Sequence, residues 1–256
     1  MYFKFEKYKI FYKKYGTSKN TILILPGWGE TRETFKYIID YFKDKYTIYI
    51  IDYPGFGNSP FINKELTIYD YALIIKSFIE KNNIINPTII AHSFGGRITS
   101  LLSGYYKIKI NKIILIDVAG IKRRKTPKVF LKEKIYKILK LLTNILPETK
   151  KIKAKEYLLN IFASTDYKNI PLNMHKTFKN IISEDLRKYY KEIKEETLII
   201  WGEKDIDTPL KDGYLLNKII NNSGLIIYKN KSHFSYLEEI YKTNLIIEKF
   251  IKKEDN

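Results

Sequence analysis

The chain has 256 residues, no cysteine, 45% hydrophobic residues and a formal net charge of +18. Disulfide and thiolate chemistry are excluded, no apolar run approaches the roughly 18 residues of a membrane span, and the length suits one α/β domain with an insertion, or at most two domains. Only five of the 46 basic residues are arginine, and the lysines read as spread along the chain among Ile, Asn and Tyr; the charge is therefore taken as compositional background, with attraction of anionic substrates or membrane surfaces as the alternative and no nucleic-acid partner expected.

The start, Met1 to Lys7, alternates charge with aromatics and lacks the apolar block of a signal peptide, so a cytoplasmic protein is expected. Residues 2–15 alternate apolar with polar and predict a two-stranded hairpin. Ile22 to Leu25 is wholly apolar, as a strand buried on both faces of a parallel sheet must be. Comparable runs recur at Thr47–Ile51, Thr88–Ala91, Ile113–Ile116, Leu198–Trp201 and Leu225–Tyr228, with helical patterns between them, for instance Ile68 to Ile79 and Leu237 to Ile251. This alternation predicts an α/β fold: a mostly parallel, doubly wound sheet of about eight strands. The rhythm breaks between about Ile121 and Lys191. There Ile135, Ile138, Leu139, Leu142, Ile145 and Leu146 have helical spacing, ended by Pro147. The expected organisation is a core of residues 1–120 and 191–256 with a helical lid inserted over 121–190. Lys132, Lys134, Lys137 and Lys140 decorate the lid helix. They read as a solvated face above a buried stripe, or as a basic amphipathic surface that touches lipid or a lipid-like substrate.

Residues 91–96, Ala-His-Ser-Phe-Gly-Gly, follow a strand and precede a helix. Small residues two places either side of Ser93 allow the tight turn of a nucleophile elbow, which holds the serine oxygen up at the sheet edge. A serine hydroxyl needs a base, and the base an oriented carboxylate. With such an elbow the chain order is Ser, then Asp or Glu, then His. His92 neighbours the nucleophile and should point away, supporting the turn. His175 lies in the insertion and breaks the order; a structural or substrate-facing role is expected. His233 sits in a loop after the last strand and before the last helix, where the base belongs. Asp205 follows a strand ending in Gly202 and precedes Pro209, which opens the next helix; it is the acid candidate, with Glu203, Asp207 and Asp117 as alternatives. The oxyanion donors are assigned to the backbone N–H of Phe94, just after the nucleophile, and of Trp28 in the loop Leu25-Pro26-Gly27-Trp28-Gly29. Arg97 is read as structural in preference to a carboxylate binder. No metal or organic cofactor is called for.

Nearly the whole chain resembles the α/β-hydrolase family with helical lids, which includes small esterases, C–C bond hydrolases and cofactor-free haloperoxidases. The resemblance includes Asp52-Tyr53-Pro54-Gly55-Phe56-Gly57-Asn58-Ser59, similar to the DxPGxGxS turn that is chiefly structural in the family. Pro26 stands where the family's oxyanion loop has His, and Ala91 where its elbow has Gly. Ser93 resembles the hydrolases and disfavours the dehalogenases and epoxide hydrolases, which use aspartate there. The implied activity is that of a serine hydrolase cleaving a small carboxylic ester through an acyl-enzyme. Phe130, Tyr136, Leu142, Phe162 and Phe178 of the lid suggest an apolar acyl or alkyl group. Two rivals share these motifs: a C–C bond hydrolase of vinylogous diketones, and a ligand-sensing receptor on a hydrolase scaffold.

Overall fold

Short apolar runs can be buried on both faces only if helices cover both sides of one sheet, and that is what the chain builds. The structure, a computed structural model, describes residues 1–123, 127–162 and 170–252, apart from the side chains at 128, 129, 133, 159 and 172. Eight strands are ordered β1-β2-β4-β3-β5-β6-β7-β8. The hairpin β1 (Tyr2–Phe5) and β2 (Tyr8–Tyr15) joins the sheet antiparallel to β4 (Thr47–Ile51). From β4 onward all neighbours are parallel: β3 (Thr21–Leu25), β5 (Thr88–His92), β6 (Lys112–Ile116), β7 (Glu196–Gly202) and β8 (Ser223–Tyr228).

Successive strand residues point to opposite faces, and the core divides accordingly. Leu23, Ile89, Ala91, Leu115, Ile199 and Trp201 pack on one face with α2 (Ile68–Lys81), α3 (Phe94–Gly104) and α8 (Leu210–Ile219). Ile24, Ile90, Ile114, Ile116, Leu198 and Ile200 pack on the other with α1 (Lys36–Phe42), α9 (Ser235–Glu238) and α10 (Ile240–Lys252). Helix α2 starts on a capping box, with Thr67 and Asp70 exchanging side-chain and backbone hydrogen bonds. The register sets Leu25 beside Ala91 and His92 beside Ile116, in turn beside Ile200. The carboxyl ends of β3, β5, β6 and β7 therefore lie level, and their loops open on one edge, where open α/β sheets bind ligands.

The chain forms two compact units, residues 1–121 with 180–256, and residues 122–179. The second contains α4 (Pro127–Leu142), a 3₁₀ turn (Thr143–Ile145), α5 (Glu148–Phe162) and the start of α6 (His175–Ser183). Pro147 stands immediately before α5. Residues 180–190 belong with the sheet, not with the insertion as expected from sequence: Ile181, Leu186 and Tyr190, the last in α7 (Arg187–Tyr190), are buried in its core. Short apolar segments without strand character give no sequence signal of which body they join.

Candidate active site

Strand β5 runs into α3 through Ser93 alone, and the reversal forces that residue to φ 46°, ψ −109°, a left-handed conformation costing about 1–3 kcal/mol. The surrounding structure holds it: the Ser93 N–H donates to Ile116 O at 3.1 Å, and its carbonyl accepts from Gly96 and Ala119. The turn tolerates no side chain at Gly95, where a Cβ would stand 2.0 Å from the Leu25 carbonyl oxygen.

The loop after β8 returns His233 to this serine. His233 Nε2 lies 2.9 Å from Ser93 Oγ, and Nδ1 lies 2.8 Å from Asp205 Oδ2. An ionised carboxylate only accepts, so Nδ1 carries the ring proton and the Nε2 lone pair faces the hydroxyl. The loop after β7 binds Asp205 closely. Its Oδ1 accepts from the backbone N–H of Asp207 and Thr208 at 2.8 and 2.9 Å, and Thr208 Oγ1 donates to Oδ2 at 2.6 Å. Burial works to raise the Asp205 carboxyl, but hydrogen bonds from His233 and Thr208 hold it below its ordinary value. Trp201, also fully buried, donates its indole N–H to Thr208 O at 2.7 Å and so fixes the same loop from beneath.

Asp205 is the carboxylate bonded to His233 Nδ1, and the alternative acids are placed differently. Glu203 is exposed and accepts from Asn230 N–H, and Asp207 is exposed. Asp117, at the end of β6, is fully buried; it accepts from Gly202 N–H at 2.7 Å and from the Ser235 hydroxyl. Burial pushes its carboxyl up to about 6. Asp52 serves its own turn, accepting from Asn58 N–H and, through its carbonyl, from Ser59 Oγ. Arg97 donates to the Ile181 and Glu184 carbonyls at the end of α6, the place where a cation complements a helix terminus. His175 lies in the other unit.

His92 is fully buried and does more than space the turn. Nδ1 is 2.7 Å from Glu30 Oε1, and Nε2 is 2.9 Å from the backbone carbonyl of His233. Both nitrogens thus face acceptors, which an imidazolium satisfies. Burial drives the His92 ring toward neutrality, yet the Glu30 carboxylate outweighs it and raises the group to about 9. Glu30 sits lower than usual: burial opposes its ionisation, and His92 with the Gly27 N–H overcomes this. A Cβ on Gly27 would lie 2.4 Å from Glu30 Oε1, so that loop needs glycine to admit the carboxylate. Glu30 and Thr208 are the two site residues that sequence reasoning missed.

The loop after β3 also carries Trp28, whose ring meets that of Phe94 edge to face at 5.2 Å. The two loops holding the expected oxyanion amides therefore abut. Phe94 is the first residue of α3, where a backbone N–H has no carbonyl one turn back. Among the described residues, one grouping has metal-ligand character, Asp205, Asp207 and His233. The hydrogen bonds to Asp205 and Ser93 already engage both nitrogens of that imidazole.

Loops from the ends of parallel strands converge on a serine at a strand-to-helix elbow, and this defines the α/β-hydrolase class. A family model for the α/β hydrolase fold matches residues 20–240, and the chain belongs to that family. It is 28% identical over 263 residues to a pimeloyl-[acyl-carrier protein] methyl ester esterase of Wigglesworthia glossinidia brevipalpis, covering 95% of this chain and 98% of the relative. An uncharacterized hydrolase of Bacillus subtilis is 23% identical, over 88% of this chain and 87% of its own length. Among solved structures, an esterase from Exiguobacterium antarcticum superposes with TM-score 0.74 at 22% identity, over 96% of each chain. The enol-lactonase of Burkholderia xenovorans does so with TM-score 0.75 at 17% identity, over 99% of this chain and 100% of that one. These structures share the fold; with the family match and the esterase-named relatives, they make the chain an α/β-fold hydrolase.

Proposed function

We propose that the chain is a serine carboxylic-ester hydrolase in which Ser93 is the nucleophile, His233 the general base and acid, and Asp205 the orienting carboxylate. The carrying observation is the unbroken relay from Ser93 Oγ through His233 to Asp205, at 2.9 and 2.8 Å. His233 Nε2 takes the Ser93 proton as Oγ attacks the ester carbonyl. The oxyanion is held by the backbone N–H of Phe94 and Trp28, each such donor being worth about 3 kcal/mol of barrier. The imidazolium, stabilised by Asp205, returns the proton to the leaving alkoxide. Water then attacks the acyl-enzyme, gives a proton to Nε2, and releases a carboxylic acid and free Ser93.

Glu30 and His92 act behind this relay as positioning residues. The His92 Nε2–H holds the His233 carbonyl, which ties the base-bearing loop to the residue next to the nucleophile. The helical insertion is read as the lid that sets substrate class, and the substrate as a small ester with an apolar acyl or alkyl group, in keeping with the methyl ester esterase named among the relatives.

Labelling with a fluorophosphonate tests the reading. Wild type takes up label and Ser93→Ala does not; equal labelling of both overturns it. p-Nitrophenyl esters of increasing acyl length, assayed beside a dienol-keto acid, then separate ester from C–C bond cleavage.

A further inference from the structure

Divided at the unit boundary, the lysine excess is not evenly spread. Residues 122–179 carry sixteen Lys and Arg against four Asp and Glu, a net +12 of the chain's +18. The apolar stripe of α4, expected from sequence to be buried, faces water: Leu131, Ile135, Ile138 and Leu142, spaced i, i+4, i+7, i+11 on one helix face, are 58, 41, 60 and 52% exposed. In the turn that follows, Ile145 is 81% exposed. Lysines accompany the stripe. Lys134 and Lys137 are exposed, and Lys134 Nζ lies 4.7 Å from the centre of the Phe130 ring. Such stems lie along apolar surface while the ammonium reaches outward.

From these observations we propose that the insertion docks the protein on an anionic lipid surface, α4 lying in the headgroup plane. An apolar stripe with flanking lysines is what such a surface selects: hydrocarbon takes the stripe, and anionic headgroups take the charge. A second copy fits poorly, since it would bring +12 against +12. Nucleic acid would neutralise the lysines but leave Ile138 and Ile145 in water. Among the described residues no helix is long and apolar enough to cross a membrane, so the attachment is peripheral. The proposal does not rest on the catalytic reading, and Ser93→Ala keeps the docking.

The experiment is co-sedimentation of the full chain with vesicles of phosphatidylcholine alone and of phosphatidylcholine with phosphatidylglycerol. Wild type partitions onto the anionic vesicles at least about tenfold more strongly than onto the neutral ones, and raised salt reverses this. Lys134→Glu with Lys137→Glu weakens partition roughly tenfold or more, at about fivefold per charge near the surface. Ile138→Asp with Ile145→Asp weakens it as much, and both variants keep the wild-type melting temperature because the replaced side chains are exposed. Failure of wild type to bind anionic vesicles at low salt overturns the proposal. So does equal binding to neutral ones, a dimer that hides the stripe, or tighter binding to single-stranded RNA than to the vesicles.

Discussion

The sheet-bearing unit and the insertion use the same residue types to opposite ends. In the first, Ile, Leu and Tyr are buried on both faces of the strands, and the net charge is only +6 over 198 residues. In the second, leucines and isoleucines at regular helical spacing stand in water beside a dense set of lysines. Helical periodicity shows which face is apolar; it does not say whether the protein itself covers that face. One unit is organised around its own core, and the other displays a surface.

The largest effect that separates the units is catalytic. Ser93→Ala is expected to lower kcat for a p-nitrophenyl ester roughly 10⁴-fold or more with the fold retained, measured by initial rates and circular dichroism. Stability sharpens the contrast. Ile90→Ala removes a fully buried side chain from the sheet and should cost about 2–5 kcal/mol, whereas Ile138→Ala on the exposed stripe should stay within about 0.5 kcal/mol. Urea unfolding distinguishes the two, and equal losses would mean that the stripe is covered.

The Glu30–His92 pair gives the pH test. His92 is raised from 6.5 to about 9 in the folded protein, so its stabilisation is fully present below pH 6.5 and is lost as pH rises through 9. Glu30 is lowered, so its contribution is present above its ordinary value and is lost as pH falls below it. The melting temperature should therefore decline from about pH 7 to 9. Glu30→Gln should flatten that limb, because a Gln amide N–H donates to Nδ1 of a neutral His92 while Nε2–H keeps the His233 carbonyl. An unchanged slope in the variant would remove the pair as its cause. A smaller catalytic effect is expected at Thr208→Val, which deletes one hydrogen bond to Asp205. It should lower kcat about fivefold, as one bond of about 1 kcal/mol does, and leave KM in place.

The legibility of the chain follows from the same comparison. Strands β3 to β8 were readable because a buried parallel strand must be apolar throughout, and the candidate relay because three histidines and a fixed chain order leave little choice. Glu30 was not readable. Its partner His92 is 62 positions away, and a carboxylate in a glycine loop reads as surface; the one available signal was a His beside the elbow serine that itself needed acceptors. Thr208 was hidden for a similar reason, since a threonine in a loop announces no partner. The end of the insertion was misplaced because Leu186 and Tyr190 join the core from short segments with no period of their own.

His233 is gripped three times, through its ring by Ser93 and Asp205 and through its carbonyl by His92. Deleting the serine oxygen leaves the other two grips in place. On the proposed reading, the Ser93→Ala protein should thus keep its imidazole where a reacting molecule would meet it, and so serve as bait: incubated with cell extract and recovered, it would retain the uncleaved substrate, which mass spectrometry can identify.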